Sequence, residues 1–578
     1  MAETLISPGV LARENDQSFV TAQPLTKGAA IIGPTVKGPV EKPTLVSSFS
    51  SYNAIFGGAL ESGSAEYTYL TSVAANNYFQ NGGESLLVTR VTSGSFTPAT
   101  SSLIPSLGDA AVAPFKLETI SEGEIMNSTG PITTNSALSS GSADNIRWEI
   151  ASVNSGSGVF SLLVRRGNDT QNQKVILESY NNISLDPFSP NYISRAIGDI
   201  TTNVVTSADG SGTYLQESGS YPNISSYVRV KEVGLNTPHY FDNNGVAKNE
   251  FTSSLPALGS GSSGGAFGSA AGSNIRTGAA NNFNENINSS NTQGLVGTDY
   301  TNAIALLSSP DEYQYNVIST PGLFYQGYTT QCTNVLQNTI ARGDAIYVMD
   351  LVPYNTAIGT VTQQAGGIDS SYSATYWPWL QTIDPNSGLL VYVPASTMVP
   401  GAYAFTDASA EPWFAPAGIT RGGLGQVVRA ERKLTSANRD TLYEANVNSI
   451  ATFPQQGVVI FGQKTLQKAS TALDRINVRR LLITLKDFIS QIADNLVFEQ
   501  NTIATRQNFL TQVNPYLESV QQRQGLYAFK VVMDESNNTP DVIDRNELVG
   551  QIFLQPTKTA EFIVLDFNVL PTGTTFPA

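Results

Sequence analysis

Near the start of the chain, apolar residues form short unbroken runs. GAAIIG at 28–33 and SLLVTRV at 85–91 each suit a strand buried on both faces. Between them, SAEYTYLTSVAANNYFQ at 64–80 sets Leu70, Val73, Ala74 and Tyr78 at three- and four-residue spacing. That spacing predicts a helix, and Asn81-Gly82-Gly83 supplies its stop. Strand, helix and strand make an α/β unit. The alternation returns after residue 300. A helix is expected over 302–307, a strand over 315–319 ending at Pro321-Gly322, a helix over 328–342 and a strand over 344–350. The lengths suit a parallel crossover.

From 93 to about 299 the pattern changes to short strand candidates in a Ser-, Gly-, Asn- and Thr-rich background, at 147–150, 158–165, 174–178 and 227–231. This stretch reads as a β-rich insertion. Within it, 259–293 opens with GSGSSGGAFGSAAGS and reads as a loop. Residues 375–418, with YWPWL and EPWFAPAG, read as irregular. Helical spacing resumes at 428–446, and GVVIF at 457–461 is a strand.

The longest amphipathic pattern is DRINVRRLLITLKDFISQI at 474–492. Asp474 is placed to cap it. Val478, Leu481, Leu482, Leu485, Phe488, Ile489, Ile492 and Leu496 make one apolar stripe. Strand candidates follow at 526–533, 548–554 and 560–569. In the last, Ile563, Leu565, Phe567 and Val569 alternate onto one face. At the other end, Ser7-Pro8-Gly9 turns into a short extended piece with Val10 and Leu11. These two terminal segments suit strand addition to another chain's sheet.

Composition narrows the function. Only 14% of the 578 residues are charged and the formal net charge is −15. A surface poor in charge suits packing against other subunits, and the acidic balance argues against general nucleic-acid binding. One cysteine (Cys332) and one histidine (His239) leave no basis for a disulfide framework, a zinc site or histidine catalysis. Cys332 reads as a small core residue and His239 as a loop residue. The start lacks a basic and apolar leader, and no apolar run reaches membrane-spanning length. These features imply a soluble chain made in a cytoplasm.

GVVIFGQKT at 457–465 nearly matches a phosphate-binding loop, but Gln463 separates Gly462 from Lys464. Its intervening residues are strand formers. The carboxylates, Asp344, Asp350 and Asp384 among them, read as turn formers and caps. No enzymatic activity, cofactor or metal is therefore expected. On the basic helix, Arg479 and Lys486 project together with Arg480 nearby. They form either local ion pairs (Arg480 with Asp487, Arg479 with Glu499) or a surface for an acidic partner.

FGQKT (461–465), DRINVRRL (474–481), VFEQN (497–501), NNTPDVIDRNELVGQIFLQP (537–556) and AEFIVLDFNV (560–569) together resemble the tail sheath proteins of contractile-tailed bacteriophages, of the T-even-like myovirus type. Upstream, SPGV, NGGESLLVTRV (81–91), NVISTPG (316–322) and EPWFAPAGITRGG (411–423) fit the same family. The likeness is weak across 93–299. It implies a subunit that stacks as hexameric rings around an inner tail tube and contracts to drive the tube through the host envelope. It implies terminal extensions that add strands to neighbouring subunits. The implied partners are further copies of the chain, the tube protein, the baseplate and the tail terminator, with no direct nucleic acid and no membrane insertion. The implied location is the virion tail, assembled in the host cytoplasm.

The expected architecture is a mixed α/β multidomain chain. A strand-exchanging arm (1–24) precedes the first part of an α/β core (25–92). A β-rich, outward-facing insertion (93–299), the second core part (300–430) and a C-terminal inner assembly domain of helix and sheet (431–578) follow. Strand exchange is assigned to Val10, Leu11, Ile563, Leu565, Phe567 and Val569, and a charged contact with the tube to Arg479, Arg480 and Lys486. Two other readings share these features: the sheath of a tailocin or other contractile injection system, and a baseplate or fibre adhesin with a receptor-binding insertion.

Overall fold

The computed structural model describes residues 27–62, 65–123, 144–207, 212–258, 265–268, 270–272 and 284–562. An eight-stranded sheet forms the centre, in the order Thr44–Val46, Leu86–Arg90, Ala29–Gly33, Val317–Phe324, Ile346–Asp350, Ser373–Trp377, Asn448–Phe453, Gly457–Ile460. The six inner strands are mutually parallel, and the two edge strands are antiparallel to their neighbours. Ala29–Gly33, Leu86–Arg90 and Ile346–Asp350 are buried throughout, which is why they read as unbroken apolar runs. The chain is thus a mixed α/β, multidomain protein, as expected. The sheet extends past residue 430, since its last two strands lie at 448–460.

Several elements differ from the sequence reading. The helix expected from 64 begins at Leu70, because Ala59–Ser62 and Ala65–Thr68 pair as a hairpin first. The strand expected to stop before Pro321 continues to Phe324, with a register shift between Ser319 and Phe324 that absorbs Pro321 and Gly322. Residues 375–418 are ordered strands, Leu380–Ile383 and Leu390–Val393, and a helix, Val399–Ser409. Pro400 sits in that helix's first turn, where the missing N–H costs nothing. The helix expected from 428 begins at Ser436, behind the strand Val427–Ala430.

The insertion has its own core. Antiparallel strands Ile146–Asn154, Val159–Arg166 and Ile176–Ser184 form one sheet, and Phe115–Glu122 and Val228–Val233 belong to another. Trp148, Phe115, Phe160 and Leu162 are buried between them. Gly265–Ala266, within the stretch read as a loop, pairs with the Ile146–Asn154 strand. A Cβ at Gly265 would meet the Trp148 ring at 2.2 Å, so only glycine fits. Glu122 ties the insertion to the core, accepting from the Val40 N–H at 3.1 Å and the Lys42 ammonium at 2.9 Å.

The chain re-enters the central core before residue 300. Counted in chain order, the six parallel strands lie as 2-1-3-4-5-6, so the order reverses beside Ala29–Gly33. Doubly wound sheets bind ligands in the crevice at such a reversal. Here the crevice is filled. Thr292 and Gln293 are fully buried there. Gln293 Oε1 accepts from the Leu70 N–H at 2.8 Å, at the start of the Leu70–Gln80 helix. Thr292 Oγ1 donates to the Gly322 carbonyl at 2.8 Å. Gly322 has φ +96°, and a Cβ on it would come within 2.7 Å of the Gln293 amide. Ile287, Thr292 and Gln293, within the stretch read as loop, are therefore buried against the core.

Candidate assembly module

The basic helix runs Ile476–Asp494 and is followed by a second long helix, Ile503–Gln522. Arg475, not Asp474, occupies the cap position. The apolar stripe packs as expected: Leu481, Leu485, Phe488 and Ile492 meet Phe509, Val513, Leu517 and Val520 of the second helix. The Phe488 and Tyr516 rings stack with centroids 3.7 Å apart. Each such buried side chain contributes about 2 kcal/mol.

The opposite face of the helix is also covered. Ile476 and Ile483, seven apart, join the central core. Arg479 and Arg480 are each only 4% exposed. Arg479 lies over the Tyr372 ring at 4.0 Å and donates to Ser371 Oγ. Burial pushes its pKa down from the usual arginine value. Arg480 lies over the Tyr403 ring at 4.7 Å and pairs with Asp407. Asp487, the partner expected for Arg480, is 2.6 Å from the Lys27 ammonium instead. Lys486 alone of the three stands exposed, 3.4 Å from the Tyr372 hydroxyl. The two arginines thus face inward and bind the helix to the central domain. The i, i+7 pair Ile476 and Ile483 was the sequence signal for this second buried face.

After the helices, Leu526–Val532 and Gln551–Pro556 pair antiparallel, a two-stranded sheet among the described residues. One face of this hairpin lies on the helix pair through Leu526, Phe529, Val531, Ile552 and Leu554. The other is solvent-facing, with Tyr527 63% and Phe553 56% exposed. The long connection between the strands is closed by Asn538, which is 2% exposed. Its amide donates to the Val549 carbonyl at 2.8 Å, and its Oδ1 accepts from the Val549 N–H at 2.9 Å. A hairpin whose edges no described residue pairs is a template for further strands. The strand-exchange residues Val10, Leu11, Ile563, Leu565, Phe567 and Val569 lie outside the described residues.

Residues 468–569 match the family model for the phage tail sheath C-terminal domain. The chain is 42% identical over 185 residues to the tail sheath protein of Vibrio phage KVP40, covering 32% of this chain and 28% of that protein. It is 35% identical over 229 residues to the tail sheath protein of Enterobacteria phage T4, covering 40% of this chain and 35% of that protein. The matched part is thus about a third of those relatives' length. Two solved structures share the fold across nearly the whole chain. The sheath tail protein of Listeria innocua has a TM-score of 0.51 at 11% identity, covering 93% of this chain and 96% of its own. The helical sheath of the anti-feeding prophage in its contracted state has a TM-score of 0.50 at 16% identity, covering 97% and 98%. The resemblance to T-even-like contractile tail sheaths therefore holds.

Lys464, Cys332 and His239 each make structural contacts. Lys464 of the GQKT stretch places its ammonium 3.7 Å over the Tyr443 ring and donates to the Tyr443 carbonyl at 2.8 Å. Cys332 is fully buried in the helix Thr329–Arg342, and burial pushes its thiol up to about 12. His239 stacks on Phe188 with centroids 4.4 Å apart. Among the described residues, no helix is long and apolar enough to cross a membrane, and no three His, Cys, Asp or Glu side chains are grouped to hold a metal.

Proposed function

We propose that this chain is the structural subunit of a contractile phage tail sheath, a mechanical rather than enzymatic component of the virion tail. It polymerises as stacked hexameric rings around the inner tail tube and contracts to drive the tube through the host envelope. Its end partners are the baseplate and the tail terminator. The observation that carries this reading is the match of residues 468–569 to the sheath C-terminal domain, whose described part is a helix pair bearing a hairpin with no further strand among the described residues.

Terminal segments of neighbouring copies, with Val10 and Leu11 at one end and Ile563, Leu565, Phe567 and Val569 at the other, add strands to that hairpin. Head-to-tail addition that does not close on itself builds a helical tube. Contraction then repacks subunit surfaces while the strand links hold. Even about 1–3 kcal/mol per subunit, a typical coupling scale, becomes large over many copies. A charged contact with the tube is assigned to Lys486, the exposed cation of the basic helix.

Negative-stain electron microscopy of the purified protein tests the reading. Ordered tubes are expected, and they are expected to be lost on deleting residues 1–20 or everything after 558. Discrete particles from the intact chain, or normal tubes from both deletions, would overturn it.

A further inference from the structure

Three of the stretches noted in the sequence converge at one place. Residues 463–465 and 474–476 run side by side, with the Ile476 N–H donating to the Gln463 carbonyl at 2.8 Å and the Thr465 N–H to the Asp474 carbonyl at 3.0 Å. This brings Gln463 and Arg475 together beside Tyr443, in the last turn of the helix Ser436–Glu444. Into that corner comes Glu561, five residues beyond the hairpin's last strand.

The Glu561 carboxylate is gripped from three sides. Arg475 makes a bidentate pair, Nε to Oε1 at 2.7 Å and Nη2 to Oε2 at 3.0 Å. The Tyr443 hydroxyl donates to Oε2 at 2.9 Å and itself accepts from Arg475 Nη2 at 2.9 Å. Gln463 Nε2 donates to Oε1 at 3.1 Å and also to Thr559 Oγ1. Next along, the Phe562 ring meets the Tyr443 ring edge-on at 5.9 Å. With the tail seated, Gln463 is 4% exposed. Four donated hydrogen bonds to two carboxylate oxygens, with an aromatic wall beside them, make a site for an acidic residue followed by an aromatic one.

We propose that Tyr443, Gln463 and Arg475 form a carboxylate socket whose ligand is the Glu561-Phe562 pair of the chain's own tail. The socket pins the tail to the central domain and fixes the point from which residues beyond 562 depart. It thereby gives meaning to the near-miss phosphate loop and to the start of the basic helix. The socket itself is a property of the single chain. Only its consequence for assembly rests on the sheath reading: a tail released from the socket leaves at no fixed angle and meets its neighbour's sheet less often.

Lys558 lies exposed just ahead of the pinned residues, so trypsin cleavage after it reports their release. Full-length wild type, Glu561→Gln and Tyr443→Phe are compared at equal thermal midpoint. Losing the charge in Glu561→Gln speeds cleavage after Lys558 by about tenfold, the factor expected for a hydrogen-bonded charge. Tyr443→Phe keeps the ring, removes one donor and gives a smaller increase. Cleavage rates equal to wild type in both variants, or rapid cleavage in wild type itself, would overturn the socket. Tube formation by the same samples is read separately. Failure of wild type to form tubes counts against the sheath reading and leaves the cleavage result intact.

Discussion

Arg480 Nη2 lies 2.6 Å from Asp407 Oδ1, joining the helix Ile476–Asp494 to the helix Val399–Ser409 across two hydrophobic cores. The arginine is nearly buried, while the Asp407 side chain keeps 23% of its surface in water. Removing the carboxylate therefore leaves an uncompensated cation inside. Asp407→Ala is expected to cost about 3 kcal/mol. Arg480→Met with Asp407→Ala should cost less than Asp407→Ala alone, because an apolar side chain of similar length fills the gap beside Tyr403. Thermal midpoints of the single and double variants check this.

Gln293 ties the end of the insertion to the start of a core helix through the Leu70 N–H. Gln293→Ala leaves that N–H buried without its acceptor, at a cost of about 1–3 kcal/mol. The local signature is more specific than the midpoint. Amide exchange at Leu70 should quicken, while exchange within the insertion's own sheet, which packs on a separate core, stays as in wild type. Equal quickening in both places would mean that the insertion unfolds with the core.

How much of this was legible in the sequence depended on whether local pattern and tertiary contact agreed. The strands at Ala29–Gly33 and Leu86–Arg90 were visible because a strand buried on both faces has no other signature. The helix Val399–Ser409 was hidden by Pro400 and by the Pro- and Trp-rich flanks, whose turns say nothing of what they connect. Gln293 and Thr292 looked like loop residues, since their burial is set by a crevice formed from strands far away in sequence. Arg479 and Arg480 misled for a related reason. Charge at a helix start reads as surface, yet Tyr372, Tyr403 and Asp407 come from other segments to receive it. The hairpin was legible as two strand candidates, but its isolation as a two-stranded sheet was not.

The outward face of that hairpin offers a direct test of assembly. Lys530 and Phe553 are register partners, and Phe553 is 56% exposed. Phe553→Lys places a second lysine opposite Lys530 and should change the monomer's stability by only about 0.5 kcal/mol. On the proposed strand addition, the same change sets like charges beside the edges that would receive a neighbour's strand. Tube yield in electron micrographs should fall sharply at low salt and recover in part at high salt, where like charges are screened. Undiminished yield at low salt would place the assembly surface elsewhere.

Asp350 gives the fold a pH dependence whose sign follows from its surroundings. It ends the strand Ile346–Asp350, buried, with its carboxylate accepting from the Ser396 N–H at 3.1 Å and from the Ser396 hydroxyl. Burial, only partly offset by those two bonds, raises its pKa from 3.8 to about 7. Between those values the folded chain holds a proton that the unfolded chain has released. Stability is therefore greatest below the unfolded value and declines as pH rises through the folded one, by at most about 4 kcal/mol. Asp350→Asn keeps an acceptor for the Ser396 N–H and carries no charge to desolvate. Near pH 4 the variant and wild type should melt together. At pH 8 the variant should melt several degrees higher. Melting curves that stay parallel across that range would show that the Asp350 carboxyl does not titrate there.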